Sequence, residues 1–100
     1  MNKRSVLSLL GLCQRANRLV SGEDMSLSVI KKKQAKLVFL ACDAGVNTSK
    51  RIRDKSMSYH VTVVDLFNSE ELSNAIGKSN RKVLVVKDQG FANKMLELLK

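Results

Sequence analysis

Two acids open a segment that closes on lysines: Ser21, Gly22, Glu23 and Asp24 stand ahead of Lys31, Lys32, Lys33 and Lys36. Acids at a helix start and lysines at its end complement the helix dipole, so this cluster alone is ambiguous. Two more basic groups follow, Lys50, Arg51, Arg53 and Lys55, then Lys78, Arg81 and Lys82. Three clusters point to an anionic partner. The whole chain agrees, because 18 Lys and Arg against 9 Asp and Glu leave +9 on 100 residues. Such an excess adds self-repulsion to the folded state, which a polyanion relieves.

Catalytic chemistry finds little support. His60 is the single histidine, placed before the strand-like YHVTVV and expected to be a strand-edge residue. Zinc would want more histidine or clustered cysteine. Cys13 and Cys42 form no CxxC pair and read as small reduced core residues of a cytosolic protein. Glu70 and Glu71 open a helix, where acids suit the dipole. DAGVNTSK, residues 43 to 50, joins a buried strand to a helix, yet it has one glycine where a phosphate-cradling Walker loop needs two. Asn47 or Thr48 is expected to cap that helix, with a small nucleotide-binding module at Asp43 to Lys50 as an alternative. No cofactor is expected.

A membrane is the other polyanion to weigh. MNKRSVLSLLGLC has a basic start and an apolar run, but the run is too short to span a bilayer, and Leu12 is too large for a cleavage site before Cys13. Val6, Leu9, Leu10 and Cys13 fall at helical spacing instead. The expectation is a docked first helix and a cytoplasmic protein.

The elements that must position these groups alternate. After the first helix come a short strand over Arg18 to Val20, a helix from about Glu23 to Lys33, and the strand AKLVFLA. That strand is apolar without alternation, so it is buried on both faces. A charged third helix, VTVVDLF, SEELSNAIG, KVLVV and GFANKMLELLK complete the chain, with Asp88 capping the last helix and Ser21 the second, Asp24 serving at its N3 position. The pattern predicts one α/β domain over residues 1–100, a three-layer α/β/α sandwich with a central mixed sheet of about four strands. Function in such folds gathers on loops at one sheet end, here Ser21 to Asp24, Asp43 to Lys50 and Gly77 to Lys82.

Aromatic residues narrow the choice of polyanion. Phe39, Phe67, Phe91 and Tyr59 are the only four, and Phe39 and Phe91 fall at core positions. Stacking platforms for single strands are therefore not expected. What fits is a structured RNA read by loops and helix starts, with a protein-interaction adaptor as the alternative.

LLGLCQRANRLVSG, AKLVFLACDA, LSNAIGK and VVKDQGFANKML together span nearly the whole chain. In these segments the sequence resembles the kink-turn RNA-binding ribosomal proteins of the L-seven-Ae and L-thirty-e type, most of all their small bacterial YlxQ-like and YbxF-like branch. The resemblance implies the three-layer sandwich, no enzymatic activity, and a ribosome-associated RNA partner. It also implies an RNA-reading start to the second helix, of pattern Gly-x-Asn-Glu-x-x-Lys. Gly22 matches the glycine, while Asp24, Met25 and Ser28 occupy the asparagine, glutamate and lysine positions. A second contact is implied for the loop after LSNAIG, at Lys78, Ser79, Asn80 and Arg81. The RNA-facing residues expected are thus Gly22, Glu23, Asp24, Ser28, the lysines 31, 32, 33 and 36, and this loop.

Overall fold

The computed structural model describes all 100 residues. Its elements are α1 (Lys3–Arg15), β1 (Leu19–Ser21), α2 (Glu23–Lys31), β2 (Leu37–Leu40), α3 (Val46–Ser58), β3 (Val63–Val64), α4 (Ser69–Ala75), β4 (Val83–Val86) and α5 (Gln89–Leu98). The sheet runs β1-β4-β2-β3, with β4 antiparallel to β1 and β2, and β2 parallel to β3. It is the expected mixed sheet of four strands.

Side-chain alternation along the strands divides the core into two layers. Leu37, Phe39, Leu84 and Val86 join Val6, Leu10, Cys13, Leu72, Ile76, Ala92 and Met95 on the face covered by α1, α4 and α5. Val38, Leu40, Val83 and Val85 turn the other way, onto Val29, Ile30 and Ile52 of α2 and α3. Both faces of β2 and β4 are therefore covered, which is why AKLVFLA and KVLVV show no polar alternation. On the first face α1 lies so close to α4 that a Cβ at Gly11 would meet the Ala75 carbonyl at 2.8 Å.

Four helices end alike. Asn17, Lys33, His60 and Gly77 each take a positive φ, of 59°, 62°, 58° and 68°. The amide of each donates to the carbonyl three residues back, and the next amide to the carbonyl five residues back, as in His60 to Met57 and Val61 to Ser56. These are Schellman closures. They correct two expectations: α2 stops at Lys31 because Lys33 already reverses the chain, and His60 is the turn-former after α3, not a strand-edge residue.

Other local expectations also change. β3 pairs only at Val63 and Val64, since the chain then leaves β2 to bury Phe67, whose carbonyl accepts from the Cys42 amide. Cys42 is exposed at the turn after β2, whereas Cys13 is fully buried as expected. Asp88 does cap α5, accepting from the Phe91 amide at 2.9 Å. Asn68 and Glu71 close a reciprocal capping box on α4. No helix is long and apolar enough to cross a membrane.

Candidate nucleic-acid interface

The three loops singled out in the sequence meet at one end of the sheet. Gly22 donates its amide to the Val83 carbonyl at 2.9 Å, which sets the start of α2 beside the start of β4. Ala41 donates to the Lys82 carbonyl at 2.8 Å, bringing the end of β2 and the Asp43 loop to the same place. Antiparallel β4 is the reason, because its entry lies against the exits of β1 and β2.

Gly22, not Ser21, is the N-cap of α2. Its φ of 98° and ψ of 155° are open only to glycine at little cost, and they let the chain turn from strand to helix in one residue. Ser21 is kept as the last residue of β1, paired opposite Leu84, so its hydroxyl makes no cap bond. The first turn of α2 therefore presents backbone amides without a side-chain cap, and Asp24 stands exposed beside them.

Arg81 reaches this helix start from the neighbouring loop. One of its terminal nitrogens lies 3.7 Å from where a Cβ on Gly22 would be, and its Nε is buried without a hydrogen-bond partner. Its backbone is fixed by buried Ser73, whose hydroxyl accepts from the Arg81 amide at 2.8 Å and donates to the Arg81 carbonyl at 3.2 Å. Between Gly77 and Arg81 the loop is exposed at Lys78, Ser79 and Asn80, and Asn80 adopts φ 57°. With α4 the loop encloses a shallow polar hollow of about 330 Å³ that contains no hydrophobic residue.

Glu23 faces α3 and is engaged there. Its carboxylate accepts from the Thr48 hydroxyl at 2.6 Å and pairs with Arg51 at 2.6 Å. Neither Asn47 nor Thr48 caps α3, because Gly45 is the N-cap and both residues already lie in the first turn. Lys50 pairs with Asp54 and Arg53 with Asp65, both pairs well exposed. The charge of the α3 cluster is thus largely matched within the protein, which weakens it as an independent anion site.

Asp43 is likewise committed. Ser69 gives it a hydroxyl bond at 2.7 Å and an amide bond at 2.8 Å, so this loop is tied to the start of α4. Those bonds, the side-chain one first, hold the carboxyl below its ordinary range, with Lys82 adding to the effect. A fixed carboxylate at the loop, with Lys50 turned to Asp54, is a poor setting for a nucleotide phosphate.

The remaining expected residues divide between two places. Asp24, Leu27, Ser28, Lys31 and Lys32 line one groove of about 330 Å³ along α2. Lys33 and Lys36 lie at the opposite end of the sheet, where the Lys36 amide donates to Val86 and Lys33 borders a hollow with Tyr59 and His60. A helix rise of 1.5 Å per residue puts Lys32 roughly 14 Å from Glu23 along the axis. None of these four lysines forms an ion pair. Phe39 and Phe67 are buried against each other with centroids 5.9 Å apart, so neither is free to stack on a base. Arg51 is the residue that the sequence offered only as one of a cluster; its contact with Glu23, 28 positions away, left no local signal.

Known proteins resemble this chain in both sequence and fold. Residues 4–96 match the model of the ribosomal protein L7Ae/L30e/S12e/Gadd45 family. The RNA-binding protein YlxQ of Enterococcus faecium is 42% identical over 98 residues, covering 98% of this chain and 94% of the relative. YlxQ of Bacillus subtilis is 46% identical over 91 residues, 91% of each. A Bacillus halodurans protein of unknown function superposes with TM-score 0.89 at 42% identity, over 94% of this chain and 95% of its own. A 15.5 kD RNA-binding protein from Giardia lamblia has the same fold, with TM-score 0.84 at 18% identity over 97% of this chain and 83% of its own.

Proposed function

Because the chain belongs to the ribosomal protein L7Ae/L30e/S12e/Gadd45 family, we propose that it is a non-enzymatic, ribosome-associated RNA-binding protein. It sets the start of α2 and the Lys78 to Arg81 loop onto a bent, kink-turn-like RNA. The observation that carries this reading is the Arg81 guanidinium held beside Gly22 with Nε buried and unpartnered. A cation at the positive end of a helix dipole is unfavourable until an anion joins it, and an RNA phosphate there can pair with the terminal guanidinium nitrogens and the free amides. The relatives named as RNA-binding proteins support the choice of RNA.

Asp24 is exposed at the same helix start, and its carboxylate can accept guanine N–H groups. Lys31 and Lys32, two turns along the groove that begins at Asp24 and Ser28, take the neighbouring backbone. The test is a titration against a kink-turn RNA and a straight duplex of matched charge at several salt concentrations. If about five phosphates are neutralised, log K falls against log salt with a slope near −4, and the kinked RNA binds more tightly. A slope near zero would overturn RNA binding. Equal affinity for both RNAs would favour a basic adaptor that meets any acidic partner.

A further inference from the structure

We propose that Glu23 is a positioning residue and Arg51 an RNA-phosphate contact, so that the interface extends from α2 onto the first turns of α3. This rests on the RNA-binding reading and adds to it a residue that the family pattern does not include. The Glu23 side chain is only 23% exposed and its carboxylate is used on both oxygens, one by the Thr48 hydroxyl and one by the Arg51 guanidinium. Thr48 and Arg51 stand three residues apart on one face of α3, so a single carboxylate ties the first residue of α2 to two turns of its neighbour.

The two partners differ in what remains free. Arg51 is 61% exposed, and a guanidinium carries five N–H donors, of which this pair uses only part. The guanidinium is held at Glu23, the first residue of α2, and Arg81 lies against the adjoining residue Gly22. The α2 start is thereby flanked by guanidinium groups from two separate elements, Arg51 held by its pair with Glu23 and Arg81 placed through the backbone bonds of its residue to Ser73. Lys50 and Arg53 lack this arrangement, because their acids are themselves 63% and 48% exposed and restrain little. Glu23 also has its charge balanced by Arg51, so an acid at an RNA-facing helix start does not oppose the phosphate.

Electrostatics alone and this clamp make opposite forecasts for Glu23→Gln. Removing an acid from a polyanion-binding face should tighten binding, whereas releasing Arg51 should weaken it. The experiment measures kink-turn RNA affinity and its salt slope for the wild type, Glu23→Gln, Arg51→Ala and the double variant, with thermal melts to establish folding. The expected result is a loss of about threefold to tenfold for Glu23→Gln and a slope shallower by about one for Arg51→Ala. The double variant should bind no more weakly than Arg51→Ala alone, since the acid acts only through the guanidinium. Thr48→Ala, which leaves every charge in place, should weaken binding in the same direction. Unchanged or tighter binding by Glu23→Gln, or an unchanged slope for Arg51→Ala, would overturn the clamp while leaving RNA binding intact. Absence of salt-dependent binding by the wild type would instead remove the reading on which it stands.

Discussion

Burial pushes the Cys13 thiol up from 9.0 to about 11, Asp88 adds to the shift, and Arg18 opposes it. Its sulfur also donates to the Arg18 carbonyl at 3.3 Å, so it is held as a packed, protonated side chain. Cys42 has the same side chain but lies exposed beyond β2. A disulfide reagent at neutral pH should therefore modify one thiol quickly and the second only when denaturant is added. Two fast thiols would show that α1 does not seal Cys13 as described. The raised value has a pH consequence of definite sign: its contribution to stability is complete below about pH 9 and is lost as pH rises towards 11, because only the unfolded chain ionises readily in that window. Asp43 acts at the acid side, since a lowered carboxyl stabilises the fold above its ordinary range and stops doing so as pH falls through the depressed value.

Helix ends carry the next level of organisation. Three of the four Schellman closures use a residue with a Cβ, Asn17, Lys33 and His60, where glycine would be unstrained. His60 is exposed and accepts this conformation at the far end of the sheet from the proposed interface. Replacing it by glycine should stabilise the protein by about 0.5–1 kcal/mol, after allowing for the extra freedom of glycine in the unfolded chain. RNA affinity should not change. A chemical denaturation midpoint shifted downwards would mean that the imidazole makes a contribution beyond closing the turn. Lys33 occupies the equivalent place on α2, so one lysine of the basic run sits at a helix-closing turn, which composition did not reveal.

The +9 of the whole molecule is not spread evenly, because antiparallel β4 sends Lys78, Arg81 and Lys82 to one end of the sheet while Lys33 and Lys36 fall at the other. Removing Lys33 and Lys36 together should leave the slope of kink-turn binding against salt nearly unchanged. Removing Lys78 and Arg81, the same change in net charge, should make it shallower by about two. Equal effects would mean that net charge and not this end of the molecule governs binding. Composition, strand polarity and helix spacing were enough by themselves to determine the layers, the strand order being the part left out, since apolar runs report burial on both faces without naming the neighbour. The glycine at the start of α2, the Asp88 cap and the three loops were legible for the same reason: each depends on residues close in sequence. Ser21 and Thr48 misled as caps because their hydroxyls had no competing partner in a local reading, whereas the fold pairs one residue within β1 and gives the other to Glu23. Only the tertiary structure decided that Glu23 holds Arg51 and that Arg81 meets Gly22, because both contacts join segments that come together only after the sheet has aligned its strands.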